Sequence, residues 1–310
     1  VATNIYSGIS KFLLLAIPFF VLSGNIMAKA GISTRLIRFV DTCVGHRKGG
    51  IANVCIIVAC FFGAISGSGP ATVAALGAVL IPAMVERGGF SAAFSTALMA
   101  TSSSIAIVIP PSIAFVVYAS ITGVSIGDMF MAGIIPGILM GLALVVVVML
   151  EVRRNHVVPS TVEKASVKER WNAFKDAFWG FLMPVIILGG IYGGIFTPTE
   201  AAAVSVVYGL FVGMIIYKEV KFKDLWEILI DSAKTTGGIM LIVACASLFS
   251  FVCTRFGIST AASELLARVA GNQFTFLLIC NIIFLIAGCF IDANSAMYIF
   301  IPIMLPVCKA

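Results

Sequence analysis

Charge is scarce in this sequence. Of 310 residues, 20 are lysine or arginine and 14 aspartate or glutamate, 11% together, against about a quarter in soluble domains. Histidine is scarcer still. His46 and His156 both sit in charged loops without a second ligand of the right kind, which argues against a zinc or haem site. The eight cysteines form no CxxC pair and most lie in apolar runs, so they read as packing residues. The polar–apolar alternation of a transmembrane β-barrel is missing. No ATP-binding motif is present: the glycine-rich stretch at 66–70 lacks the lysine and the strand–helix setting of a phosphate loop. No serine has a histidine base, so the chain is not expected to be an enzyme. An initiator methionine is absent at Val1, and no basic-plus-apolar signal peptide precedes the first span, so the natural start is expected upstream.

What is abundant is apolar sequence. With 60% hydrophobic residues and a mean hydropathy of +1.11, in long continuous runs, the chain reads as an all-α polytopic membrane protein. The net charge of +6 sits in short loops, where it sets topology rather than binding nucleic acid. Spans are expected at 12–28, 90–123 (broken at Pro110-Pro111), 126–150, 180–197, 201–217 and 237–253. Segments 31–48, 218–236 and 254–273 are amphipathic, and 151–178 is expected as a charged loop, helical in part.

Residues 61–84, FFGAISGSGPATVAALGAVLIPAM, place Ser66-Gly67-Ser68-Gly69-Pro70 between two apolar arms. Each arm reaches roughly 24 Å or less, against a hydrocarbon core about 30 Å thick. A re-entrant helical hairpin fits, and so do two short tilted spans. Unpaired backbone groups at such a turn are tolerated only inside protein or beside a polar cavity. A packing kink is the plainer account of one interruption, but the same design appears at Pro110-Pro111 and at Asp292-Ala293-Asn294-Ser295.

The opening design recurs. Gly31-Ile32-Ser33-Thr34 returns as Gly257-Ile258-Ser259-Thr260, an offset of 226 that also places Ser66 on Asp292 and Ser68 on Asn294. Each copy follows an apolar span, opens an amphipathic basic segment and leads into a broken apolar hairpin. Five expected crossings separate the copies, so the repeats are inverted. Sixteen of the twenty lysines and arginines then fall on one side, which marks it cytoplasmic; Lys11, Arg255, Arg268 and Lys309 fall on the other. The two hairpins enter from opposite sides and their tips are expected to meet in mid-membrane, as interrupted helices do at secondary-transporter sites. A further broken span is expected beyond Ala310.

Neutral oxygens suit a weakly held Na⁺. Ser66, Ser68 and Thr72 offer hydroxyls at the first tip, and Thr101, Ser102, Ser103 and Ser104 on the helix broken at Pro110-Pro111. Membrane hydroxyls also bond back to their own helix. Asp292 is the one carboxylate deep in an expected hairpin, a functional position that also suits a helix N-cap. Thr197, Pro198 and Glu200 read as a helix start, and Asn25, Asn53 and Asn281 as interhelical contacts. No lysine or arginine falls in an expected membrane core, so an anionic substrate would rest on helix N-termini, hydroxyls and bound cations.

The stretches GAISGSGPATVAALGAVLIPAM, IVIPPSIAFVVYA, GGIYGGIFTPTEAAAV and FIDANSAMYIFIPIMLPV, in this order, resemble the large membrane subunit of TRAP transporters, the DctM-like permeases. The resemblance implies a Na⁺-coupled, elevator-type importer of an organic acid such as sialic acid or a C4-dicarboxylate, with no cofactor beyond the coupling ion. It implies a bacterial inner-membrane location, a small membrane subunit and a periplasmic substrate-binding protein as partners. Residues 1–48 and 124–253 would be scaffold; 49–123 and 254–310 would form the transport domain. Ser66, Gly67, Ser68, Gly69 and Thr101 to Ser104 match a first Na⁺ site, and Asp292, Ala293 and Asn294 half of a second. Substrate would lie between the tips, near Ser68, Pro70, Thr72, Ser103, Pro111 and Ser295. Relative to the family the chain looks cut at both ends. A self-sufficient Na⁺/dicarboxylate carrier and a channel with re-entrant loops are the alternatives.

The charge asymmetry makes a direct prediction. With the eight native cysteines replaced by serine, a membrane-impermeant thiol reagent should label Lys11→Cys in cells with a permeabilised outer membrane. It should label Lys48→Cys only once the inner membrane is opened; the reverse pattern would invert the topology.

Overall fold

The computed structural model describes residues 2–154, 164–269 and 271–309, and among them every regular element is helical. His156 lies outside the described residues. In chain order the helices are α1 (Ala2–Ile9), α2 (Ala16–Lys29, entered through the 3-10 turn Phe12–Leu15), α3 (Ile32–Val44), α4 (Gly50–Ser66), α5 (Gly69–Glu86), α6 (Ala92–Val108) and α7 (Ile113–Thr122). They continue with α8 (Ile126–Arg154), α9 (Val167–Tyr192), α10 (Pro198–Leu210, running on as the π-helix Phe211–Ile216), α11 (Asp224–Arg255), α12 (Ile258–Val269), α13 (Gln273–Gly288) and α14 (Ala293–Lys309). Among the described residues six segments are long and apolar enough to cross a membrane, seven if α6 and α7 count as one broken span. The chain is an all-α polytopic membrane protein.

Two expectations need correction. The charged segment 151–178 is helical in part, as expected, but its second helix runs on into the next span: among the described residues α8 ends at Arg154 and α9 is unbroken from Val167 to Tyr192. The cause is a capping box at Ser166, whose hydroxyl takes the Glu169 N–H while the Glu169 carboxylate takes the Ser166 N–H at 2.7 Å. The amphipathic segment 218–236 and the span 237–253 are likewise one helix, α11, from Asp224 onward. Gly237-Gly238 lowers helix propensity without forbidding helical backbone, so it does not end the helix.

By packing, the chain divides into two units. The larger comprises residues 16–115 and 126–232. Its centre is α4, which is apolar on all sides, as a helix with no solvated face should be; Ile51, Val54, Cys55, Val58 and Phe62 are all buried. Helices α2, α3, α5, α6 and α8 surround it. Arms α4 and α5 run antiparallel: a methyl at Gly88, just past α5, would meet Ile51 at the start of α4. At Gly63 the arm touches α6 so closely that an added Cβ would lie 2.6 Å from the Ala106 Cα.

Ion pairs at the margins of this unit join cations that the charge count put on one side to carboxylates: Lys29–Glu227 at 3.2 Å, Arg35–Glu219 at 2.5 Å, Arg38–Asp176 at 3.6 Å and Arg87–Asp41 at 2.9 Å. Exposed pairs of this kind add little stability; they agree with the layout. Asn25 donates to the Ser232 hydroxyl at 2.8 Å, an interhelical contact as expected. Asn281 instead bonds back to the Leu277 carbonyl of its own helix.

The smaller unit comprises residues 1–15, 116–125 and 233–310. Here α13 and α14 form a second antiparallel pair. Leu266 of α12, Phe276 and Met304 pack together, and Phe284 meets Phe300 edge-on at 5.9 Å.

The repeat is visible in backbone detail. Helix α2 ends at Lys29 and α11 at Arg255; α3 starts at Ile32 and α12 at Ile258, each 226 apart. Gly31 and Gly257 both adopt positive φ, 68° and 72°. The bonds Ala30 N→Ile26 O, Gly31 N→Ala28 O and Arg35 N→Gly31 O recur as Phe256 N→Val252 O, Gly257 N→Thr254 O and Ala261 N→Gly257 O.

The Gly63–Ala106 contact predicts that Gly63→Val will destabilise the purified protein by about 1–3 kcal/mol, as overpacking does. Gly189→Ala, at a helical position with nothing within 4 Å, should leave stability unchanged or slightly raised. Thermal unfolding in detergent checks both.

Candidate functional site

The first hairpin turns at Ser66-Gly67-Ser68. Gly67 ends α4 with φ 61°, a left-handed conformation that only glycine adopts without strain. Ser68 returns to extended backbone and N-caps α5, its hydroxyl facing the Ala71 N–H at 3.5 Å, with Pro70 in the first turn. Ser66 and Thr72 are buried, and Ser68 is half-buried.

Three neutral oxygens converge there. Thr72 Oγ1 donates to the Ser68 carbonyl at 2.8 Å, lies 3.2 Å from Ser66 Oγ, and Ser66 Oγ is 3.4 Å from the same carbonyl. None carries a formal charge. Such a set suits a weakly held monovalent cation, beside the N–H groups that open α5.

The break between α6 and α7 packs against this tip. The Gly67 carbonyl accepts the Ile113 N–H at 3.4 Å, and an added Cβ on Gly67 would lie 2.8 Å from the Pro111 carbonyl oxygen. Gly69 faces the Ser103 carbonyl, 3.3 Å from where a Cβ would stand. Of the residues singled out in the sequence, Ser66, Gly67, Ser68, Gly69, Thr72, Ser103 and Pro111 therefore come together. The hydroxyls of Thr101, Ser103 and Ser104 return to carbonyls of their own helix, at Ala97, Ala100 and Thr101. Thr101 is exposed, and Ser102 is buried beside the Cys55 thiol. Pro70 is exposed.

Ser112 escaped the sequence reading. Its hydroxyl donates to the Ile107 carbonyl, left without a helical partner where α6 ends, and faces the Phe115 N–H at the start of α7. One side chain thus serves both ends of the break. A serine directly before an apolar run was the available signal. Gly24 was also missed: it lets α2 approach the tip, a Cβ there lying 3.1 Å from the Ser66 Cα. No local pattern marks it.

At the second tip Asp292 caps α14. Its carboxylate accepts the Asn294 N–H at 2.9 Å, the Ser295 N–H at 3.4 Å and the Ser295 hydroxyl at 2.5 Å. Asp292 and Ala293 are exposed, while Asn294 and Ser295 are half-buried. The side-chain oxygen of Asn294 is buried with no hydrogen-bond partner among the described residues. Thr197, Pro198 and Glu200 form the expected capping box of α10: the Glu200 carboxylate takes the Thr197 N–H and hydroxyl, each at 2.8 Å.

Comparison with known proteins agrees with this architecture. The sequence profile described as "Tripartite ATP-independent periplasmic transporter, DctM component" matches residues 1–310. The chain is 39% identical over 321 residues to the C4-dicarboxylate TRAP transporter large permease protein DctM of Rhodobacter capsulatus, covering 99% of the chain and 72% of that protein. It is 41% identical over 306 residues to the protein of the same name in Pseudomonas aeruginosa, covering 99% and 71%. It is 39% identical over 307 residues to the isethionate TRAP transporter permease protein DctMQ of Oleidesulfovibrio alaskensis, covering 99% and 48%. With a match along its whole length and relatives near 40% identity, this chain belongs to the DctM family of large permease subunits of tripartite ATP-independent periplasmic transporters.

Proposed function

We propose that this chain works as a Na⁺-coupled secondary importer of an organic anion in the bacterial inner membrane. A periplasmic binding protein delivers the substrate, and a small membrane subunit completes the permease. The whole-length family match supports the transport class. The convergence of the buried Ser66 and Thr72 hydroxyls on the half-buried Ser68 carbonyl is the observation that carries the ion.

The chemistry follows from what surrounds the first tip. Carbonyls and hydroxyls replace part of the hydration shell of a small cation without binding it so tightly that it cannot leave. The first turn of α5 then presents N–H groups to a carboxylate or sulfonate, and a bound cation adds charge complementarity. The buried, unpartnered oxygen of Asn294 supports a second cation position at the other hairpin. The named relatives transport C4-dicarboxylates and isethionate, both anions. We assign this chain an organic anion of the same kind, with a C4-dicarboxylate and sialic acid as the substrates to try first. Alternating access would move residues 49–123 and 254–310 as a transport domain against a scaffold of 1–48 and 124–253, in elevator fashion.

The test is uptake into proteoliposomes holding the full-length protein, its small subunit and its binding protein. Labelled succinate or sialic acid should accumulate only with an inward Na⁺ gradient and the binding protein. Uptake with Na⁺ alone would mean a self-sufficient carrier, and non-saturating ion flux a channel; either outcome would overturn the proposal. Ser66→Ala and Thr72→Val should each raise the Na⁺ concentration for half-maximal uptake about fivefold, the equivalent of about 1 kcal/mol of lost oxygen contact.

A further inference from the structure

Tyr298 lies on α14 six residues beyond Asp292, roughly 9 Å along the helix from the second tip. It is 4% exposed, whereas Phe274 and Phe290 of the same hairpin stand 75% and 85% exposed. Its phenol oxygen is 3.1 Å from the Ser120 hydroxyl. The Ser120 hydroxyl spends its single proton on the Val117 carbonyl at 2.7 Å, so Tyr298 is the donor and Ser120 the acceptor.

The main-chain carbonyl of Ser120 belongs to the last turn of α7, where carbonyls lack helical partners. It accepts a bond from the Lys11 ammonium at 2.5 Å. A cation on a helix C-terminus is favourable both as a hydrogen-bond donor and against the helix dipole. Lys11 stands in the two-residue gap between α1 and the 3-10 turn, and is itself exposed. Helix α1 is in turn set against α11, where a Cβ on Gly8 would lie 2.3 Å from the Ser247 hydroxyl. One residue, Ser120, thus receives the N-terminal segment through its carbonyl and the second hairpin through its hydroxyl.

We propose that Tyr298, Ser120 and Lys11 are positioning residues for the second hairpin. The phenol–hydroxyl bond fixes α14 along its length, Lys11 of the scaffold fixes the end of α7 that holds it in the conformation seen here, and in that conformation they set where Asp292, Asn294 and Ser295 present their oxygens. This rests on the transport function proposed above. Na⁺ affinity should respond, because the ligating atoms move, while the machinery of translocation stays intact.

The experiment uses the full-length protein with its small subunit and binding protein in proteoliposomes, and measures uptake against Na⁺ concentration. Tyr298→Phe should raise the half-saturating Na⁺ concentration about three- to tenfold, with the maximal rate within about twofold of wild type. Ser120→Ala should do the same, and the double variant should be no worse than either single one. Lys11→Gln should raise it, and Lys11→Arg should restore it, since either cation can donate to the carbonyl. An unmoved Na⁺ half-saturation in Tyr298→Phe and Lys11→Gln, or additive effects in the double variant, would overturn the inference. Should Tyr298→Phe aggregate, the exposed Lys11 pair decides alone. Wild-type protein without Na⁺-dependent uptake would overturn the transport function, and this inference with it; normal wild-type uptake beside unmoved variants would overturn the inference alone.

Discussion

Backbone polar groups that leave a helix inside an apolar solvent must find partners in the protein. That constraint organises the larger unit. At the first tip the chain stops being helical at Gly67, and the freed groups are met locally: the Ser66 hydroxyl takes the Ser68 N–H, the Ser68 hydroxyl faces the Ala71 N–H, and the Gly67 carbonyl takes the Ile113 N–H. Across from it α6 stops at Val108, and Ser112 attends to both the carbonyl left behind and the N–H groups ahead. Two interruptions that would each be costly in lipid are placed against one another, where each supplies part of what the other lacks.

Close approach makes this possible, and glycine makes close approach possible. Gly63 admits Ala106, and Gly67 admits the Pro111 carbonyl. Because α4 is packed among helices along most of its surface, with Phe61 its one exposed side chain, the tip at its end is held by protein rather than by lipid. The second hairpin is built differently. Its first arm is largely exposed, its tip is capped by the Asp292 carboxylate, and its placement rests on the Leu266–Phe276–Met304 cluster and the Tyr298–Ser120 bond. The repeat preserves the order of elements while the chemistry at the two tips diverges, hydroxyls in one and a carboxylate in the other.

Much of this was legible in the residues. The apolar runs, the two glycine-led amphipathic helices 226 residues apart, the polar tips and the Thr197–Glu200 capping box all depend on chemistry within a few neighbouring positions, and the structure has them where they were expected. The merged helices were harder. Charge at 167–179 and polar residues at 224–236 resemble loop by composition, but a capping box starts one helix and no proline interrupts the other. Composition measures exposure to water, and an exposed stretch can be helical.

What the sequence by itself determined is local: which segments are apolar, where glycine and proline interrupt them, and which hydroxyls stand at the interruptions. Only the tertiary structure decided which of those residues meet. Thr101 and Ser103 look equivalent in the sequence, and both hydroxyls return to their own helix, yet the Ser103 carbonyl lies against Gly69 while Thr101 is exposed. Gly24 gained its role from a helix far away in the chain, and Ser120 from Lys11 and Tyr298, 109 and 178 residues distant. The physical reason is that helix formation obeys nearest neighbours, whereas the satisfaction of a buried polar group depends on whatever surface is packed against it.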